Sequence, residues 1–189
     1  MEISLIRHGK SKFTDRQLIT CNEFNDWVKR YDDKGVLEES SYPMDTLNKI
    51  QSASIVMTSD LKRSVESAML LHQHAKVTSM PVFRETELPV SSLKCNAIKL
   101  HPNIWAVVLR CLWFSGYSIG CESYSDAKQR AQKAAQVLIE HSQEYKSSAL
   151  VGHGFFNMLI AKELQKRGWK GKRRTSSKHW NCTTYYFHN

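Results

Sequence analysis

The chain has 189 residues and a formal net charge of +9, a length that supports one domain, residues 1–189, with a substantial core and no need of disulfides or metal. No apolar run approaches the roughly 18–20 residues of a membrane helix, and no charged-then-apolar leader opens the sequence, so we expect a cytoplasmic protein with no membrane partner. Cys21, Cys95, Cys111, Cys121 and Cys182 are scattered and form no C-x-x-C pair, which argues against a disulfide framework or a zinc site and for reduced thiols acting as small hydrophobes.

In chain order, short apolar runs predict strands at ISLI (3–6), IVMT (55–58), KVTSM (76–80), SALV (148–151) and TTYYF (183–187). Helical patterns lie between them. Thr20 and Glu23 have capping-box spacing, so a helix is expected to start at Cys21. Ser59 or Asp60 is expected to cap a second helix with Leu61, Val65, Ala68 and Met69 on one face. A third runs from about Asn103 to Phe114 after Pro102. The alanine-rich stretch 123–145 is the longest helix, and FFNMLIAKELQKR (155–167) ends against Gly168, a C-cap residue. Strands alternating with helices predict an α/β sandwich with a mostly parallel sheet.

The charge is uneven. Residues 162–178, KELQKRGWKGKRRTSSK, carry eight basic side chains and one acid. Clustered cations suit a phosphate backbone, a solvated helix end or the rim of a pocket for a small anion. No nucleic-acid motif accompanies them, so no specific nucleic-acid partner is expected.

Parallel sheets bind ligands at the carboxyl ends of their strands. Arg7 and His8 follow the first strand, Ser59 and Asp60 the second, and Gly152, His153 and Gly154 the fourth. Glycines and helix starts there leave backbone N–H groups for an anion. Two histidines and two arginines, Arg7 and Arg63, make a cationic cluster without metal-ligand spacing, so no metal and no cofactor are expected. Taken singly, each of these residues has an ordinary structural explanation.

Taken in order, LIRHGKS, TSDLKRSVESA, FRETELP, CESYSDAKQR and ALVGHGFFNMLI resemble the motifs of the histidine phosphatase superfamily, the phosphoglycerate-mutase-like proteins. The resemblance spans residues 3–160 and implies a three-layer α/β/α sandwich and phosphoryl chemistry through a phosphohistidine. It implies that His8 is the nucleophile, that Arg7 and Arg63 hold phosphate oxygens, that His153 completes the pocket with the Gly154 backbone nearby, and that Glu85 is the proton donor. The residues themselves leave Glu85 and Glu87 open, since positions two apart in an extended piece share a face. Phe13, Thr14 and Asp15 stand where the family often has an asparagine. Leu88, Pro89 and Val90 replace the glycine and tryptophan that often follow the acid. Both departures fall on the substrate side of the pocket.

The reading that follows is a metal-independent phosphomonoesterase acting on a small phosphorylated metabolite. A phosphoglycerate-type mutase, a phosphohistidine-protein phosphatase and a non-catalytic phospho-ligand binding module are the alternatives. The substrate and the oligomeric state are not legible. Trp105, Trp113, Phe114 and Tyr117 line either the substrate pocket or the core.

Overall fold

The computed structural model describes residues 1–74, 76–90 and 98–188; Cys95 lies outside them. Strands β1 (Glu2–Arg7), β2 (Ile55–Thr58), β3 (Val77–Ser79), β4 (Ser147–Gly152), β5 (Lys170–Gly171) and β6 (Cys182–Tyr186) form one sheet in the order β3-β2-β4-β1-β6-β5. The first four run parallel, while β6 pairs antiparallel with β1 and β5 antiparallel with β6. The sheet is therefore mostly parallel, with an antiparallel edge.

Strand periodicity sorts side chains onto two faces. Ile3, Leu5, Met57 and Leu150 join one apolar cluster, whereas Ile6, Val56, Ala149 and Val151 join another. Helices α5 (Tyr124–Tyr145) and α6 (Gly154–Lys166) cover the first face; α2 (Met44–Gln51) and α3 (Lys62–Leu71) cover the second. This is the three-layer sandwich. Ala127, Ala131, Ala134, Ala135 and Leu138 of α5 are all fully buried, their helical spacing turning a small-residue stripe toward α6 and the sheet. A third cluster joins α1 (Cys21–Asp33) to α4 (Pro102–Phe114) through Cys21, Phe24, Trp105 and Leu109.

Helix ends follow local chemistry. Thr20 and Glu23 form the expected capping box on α1, and Ser123 with Asp126 forms another on α5. After α6, Gly168 takes φ +87°, its N–H reaches Gln165 O at 3.0 Å, and Trp169 N–H reaches Leu164 O at 3.1 Å. Arg167 is the C-cap residue and Gly168 the one after it, a left-handed turn that suits glycine.

Two expectations need correction. Neither Ser59 nor Asp60 caps α3: its N-cap is Leu61, with no side-chain hydrogen bond. Ser59 bonds to His153 and Asp60 to Arg84 instead. The buried face of α3 is Arg63, Ser64, Ser67, Ala68 and Leu71, while Met69 is 53% exposed. Helix α2, the short 3-10 turn Pro81–Phe83 and the two-residue β5 were not anticipated. Among the described residues no helix is long and apolar enough to cross a membrane, and Cys21, Cys111, Cys121 and Cys182 are free thiols.

Candidate active site

Strand register assembles the site. Arg7 is aligned with Gly152 across β1 and β4, and Thr58 with Val151 across β2 and β4. The residues that follow these strand ends, His8, Ser59 and His153, therefore emerge side by side at the carboxyl edge. His8 and His153, 145 positions apart in sequence, have ring centroids 5.1 Å apart.

His8 is buried, and both its ring nitrogens are engaged. Nδ1 lies 2.7 Å from the carbonyl of Gly9, and Nε2 lies 3.2 Å from Arg63 Nε. A carbonyl only accepts and a guanidinium only donates, so Nδ1 carries the proton and Nε2 the lone pair. Burial holds His8 well below the ordinary histidine value of 6.5, and Arg63 and Arg7 press in the same direction while the Gly9 bond opposes them. The ring is neutral at pH 7.

Position 9 admits no side chain, because a Cβ there would overlap the Trp180 indole. Trp180 itself sits at φ 65°, a conformation costing about 1–3 kcal/mol. Its surroundings hold it there: its N–H donates to Arg7 O at 3.0 Å, its carbonyl accepts from Thr46 Oγ1 at 2.7 Å, and its indole donates to Glu39 at 2.9 Å.

Arg63 reaches the rim from α3 and is only 5% exposed. Besides His8 it engages Asp32, at the end of α1, through Nη1. Its guanidinium carbon lies 5.2 Å from the Tyr31 ring centroid. Arg7 turns Nη1 onto the carbonyl of Ser177, and its Nε is buried with no hydrogen-bond partner among the described residues. It packs across Gly154, where a Cβ would come within 3.1 Å of Arg7 Nε.

His153 is the N-cap residue of α6, fully buried, with Nε2 2.7 Å from Ser59 Oγ. Its Nδ1 is buried and unpartnered among the described residues. Burial first, then the neighbouring His8 and Arg63, push it well below 6.5.

Glu85 arrives from the segment after the 3-10 turn. Its carboxylate accepts from the N–H groups of Phe155 at 3.2 Å, Phe156 at 2.9 Å and Thr86 at 2.9 Å. It therefore sits on the first turn of α6, next to Gly154, and takes up two amides that the sequence alone offered to an anion. Glu87 is exposed. Nearby, Arg130 donates to Glu122, to Val82 O at 3.0 Å and to Arg84 O at 2.7 Å, which fixes the backbone leading to Glu85.

The six residues singled out from sequence, Arg7, His8, Arg63, Glu85, His153 and Gly154, thus lie on one rim. Of the aromatic set, Trp105 and Trp113 are core, Phe114 is half exposed, and Tyr117 is partly buried. Two further residues join the rim. Asp32 is one. The other is His179, whose Nδ1 donates to the carbonyl of His8 at 2.9 Å and whose ring centroid is 5.4 Å from that of His8. Burial and Arg7 lower its pKa. The basic 162–178 segment ends here, with Ser177 on Arg7 and the residue just beyond the segment, His179, on His8. No group of three or more His, Cys, Asp or Glu side chains among the described residues converges as a metal site.

No curated protein sequence gives a significant match to the chain. Its fold is shared with phosphoserine phosphatase from Entamoeba histolytica in complex with 3-phosphoglyceric acid (14% identity, 98% of this chain and 90% of that one, TM-score 0.59). It is shared also with alpha-ribazole phosphatase from Shigella flexneri (17% identity, 97% and 89%, TM-score 0.54). A mycobacterial glucosyl-3-phosphoglycerate phosphatase is similar too (18% identity, 87% and 79%, TM-score 0.56). The model of the histidine phosphatase superfamily (branch 1) matches residues 42–188, most of the chain, and the protein belongs to that superfamily.

Proposed function

We propose that the protein is a phosphomonoesterase that hydrolyses a small phosphorylated compound through a phosphohistidine at His8, acting as a single catalytic domain. The observation that carries this reading is the protonation pattern of His8: Nδ1–H fixed by Gly9 O and the lone pair on Nε2, inside a rim bearing Arg7, Arg63 and His153.

A phosphate monoester dianion repels nucleophiles, so positioning and charge compensation account for most of the catalysis. Arg7 and Arg63 supply planar donor forks that match phosphoryl oxygens. His153 Nδ1, with Nε2 satisfied by Ser59, is the donor left over for a third oxygen. As Nε2 of His8 attacks, the N–P bond forms and the P–O ester bond breaks. The positive charge that develops on the imidazole is shared with the Gly9 carbonyl through Nδ1–H.

The leaving alkoxide requires a proton, and Glu85 is assigned as the donor. In the second step its carboxylate takes a proton from the water that hydrolyses the phosphohistidine. The assignment is supported by its seat beside Gly154 and His153, where Glu87 is exposed. No step is assigned to a metal or cofactor, and no specific nucleic-acid or membrane partner enters the reading.

The test is release of inorganic phosphate from a panel of phosphomonoesters in the presence of EDTA. Steady release to water supports the reading. Transfer to a second hydroxyl of the substrate without release would make the protein a mutase, and tight binding without turnover would make it a binding module.

A further inference from the structure

Both arginines of the rim are already engaged by the protein itself. Arg7 Nη1 is held by a backbone carbonyl, which carries no net charge. Arg63 is held by a carboxylate, that of Asp32. Through its Nε the same guanidinium covers the lone pair of His8. The line Asp32–Arg63–His8 is continuous, buried at Arg63 and His8, and anchored at its far end in the last turn of α1. In this arrangement an attacking Nε2 and a fully available Arg63 fork are both absent.

We propose that Asp32 is an internal surrogate for phosphate: in the free protein it occupies the Arg63 fork and keeps Arg63 on His8 Nε2, and an incoming phosphoryl group exchanges with it. The inference rests on the reading of His8 as nucleophile and Arg63 as phosphate ligand. When the phosphoryl oxygens take the guanidinium, Asp32 is released, Arg63 shifts from Nε2 to the anion, and the nucleophile is uncovered. After hydrolysis, the return of Asp32 to Arg63 helps to expel inorganic phosphate. Asp32 is a positioning residue in this scheme, acting through Arg63.

The environment of Asp32 fits an exchangeable group. Its side chain is 30% exposed, against 6% for Arg63, so it has a solvent side to retreat to. The charged and titratable groups facing it are Arg63 from α3, Arg84 and Glu85 from the segment after β3, and Tyr31 and Asp33 on α1 itself. Burial is the largest influence on its pKa and raises it, Arg63 opposes the rise, Asp33 and Glu85 add to it, and the balance lies above the ordinary aspartate value. The carboxylate is thus easier to protonate than an ordinary aspartate, and its protonation as pH falls loosens the pair.

Sulfate is the probe, because it stays a dianion across the pH range while phosphate does not. Asp32→Asn is expected to tighten sulfate binding roughly tenfold or more at pH 7.5, as a competing charged acceptor is removed. The ratio of wild-type to variant Kd is expected to shrink toward one as pH falls and wild-type Asp32 protonates. In turnover, KM falls and product inhibition by phosphate strengthens together. A second readout uses the unmodified chain: the Asp32 carboxyl 13C resonance moves on saturation with sulfate if the two anions exchange.

A folded Asp32→Asn protein with unchanged or weaker sulfate affinity, or an Asp32 resonance indifferent to saturating sulfate, would overturn the proposal. Either result would leave Asp32 as a fixed support for Arg63. The two readings fail separately. Tightened sulfate binding in a protein that releases phosphate from no ester keeps the exchange and discards the phosphatase; turnover combined with weakened sulfate binding does the reverse.

Discussion

Arg63 Nε donates to Nε2 of His8 at 3.2 Å, so the side chain assigned to hold the phosphate also touches the atom assigned to attack it. Arg63→Ala should lower kcat/KM by about 10²–10³-fold, the loss of about 2.7–4 kcal/mol seen when one transition-state donor is removed. Arg63→Lys should recover only part of this, since an ammonium cannot reproduce the planar fork. Steady-state kinetics with a saturable ester checks both. Unchanged kcat/KM in Arg63→Ala would reduce Arg63 to a structural role.

Glu85 has two tasks, and substitution separates them. As a proton donor it should matter most when the leaving group is poor. Glu85→Gln should slow an alkyl phosphate far more than p-nitrophenyl phosphate, by a margin within the roughly 10²–10⁴-fold range of general acid catalysis. As the acceptor of the Phe155 and Phe156 amides it also stabilises the start of α6. Glu85→Ala should therefore lose about 0.5–2 kcal/mol of stability, as other helix caps do, while Glu85→Gln, which keeps an acceptor oxygen, loses less. Glu87→Gln should change neither leaving-group dependence nor melting temperature. Pre-steady-state bursts are the right comparison, because slow hydrolysis of the intermediate would make the two substrates converge.

Acid should destabilise the fold through its buried histidines. His8 and His153 titrate well below 6.5 in the folded chain, whereas in the unfolded chain they take protons near the ordinary value. The unfolded state therefore binds more protons, and stability present above about pH 6.5 is lost as pH falls toward the depressed folded values. Each histidine contributes up to about 1.4 kcal/mol per pH unit in that window. His8→Asn should make the slope of urea midpoints between pH 8 and pH 5 visibly shallower. Asp32 has the opposite sign: its raised folded pKa returns some stability as pH falls through it. An acid limb as steep in His8→Asn as in the unmodified chain would contradict this.

The strand ends, and with them the positions of Arg7, His8 and His153, were legible because apolar runs of strand length end abruptly in polar residues. Nothing in the sequence, however, aligns Arg7 with Gly152 or Thr58 with Val151; that register is a property of the sheet. Helix α3 was misread for an instructive reason. Its buried face holds Arg63, Ser64 and Ser67, buried because they serve the rim: Ser67 accepts from Gly9 N–H at 2.9 Å and Ser64 donates to Val151 O. An apolar stripe cannot locate a face buried for polar work. Helix α2 was missed because it is short, follows Pro43 and has no side-chain cap. Asp32 and His179 were missed because each reaches the rim through packing, one by α1 against α3 and the other by the loop entering β6.

Covalent capture decides the matter. With a 32P-labelled ester and a rapid quench, the protein should carry acid-labile, base-stable phosphate on His8. His8→Ala should carry none, lose turnover, and keep its cooperative unfolding transition. Label on any other residue, or wild-type turnover in His8→Ala, would contradict the assignment of His8 as the nucleophile.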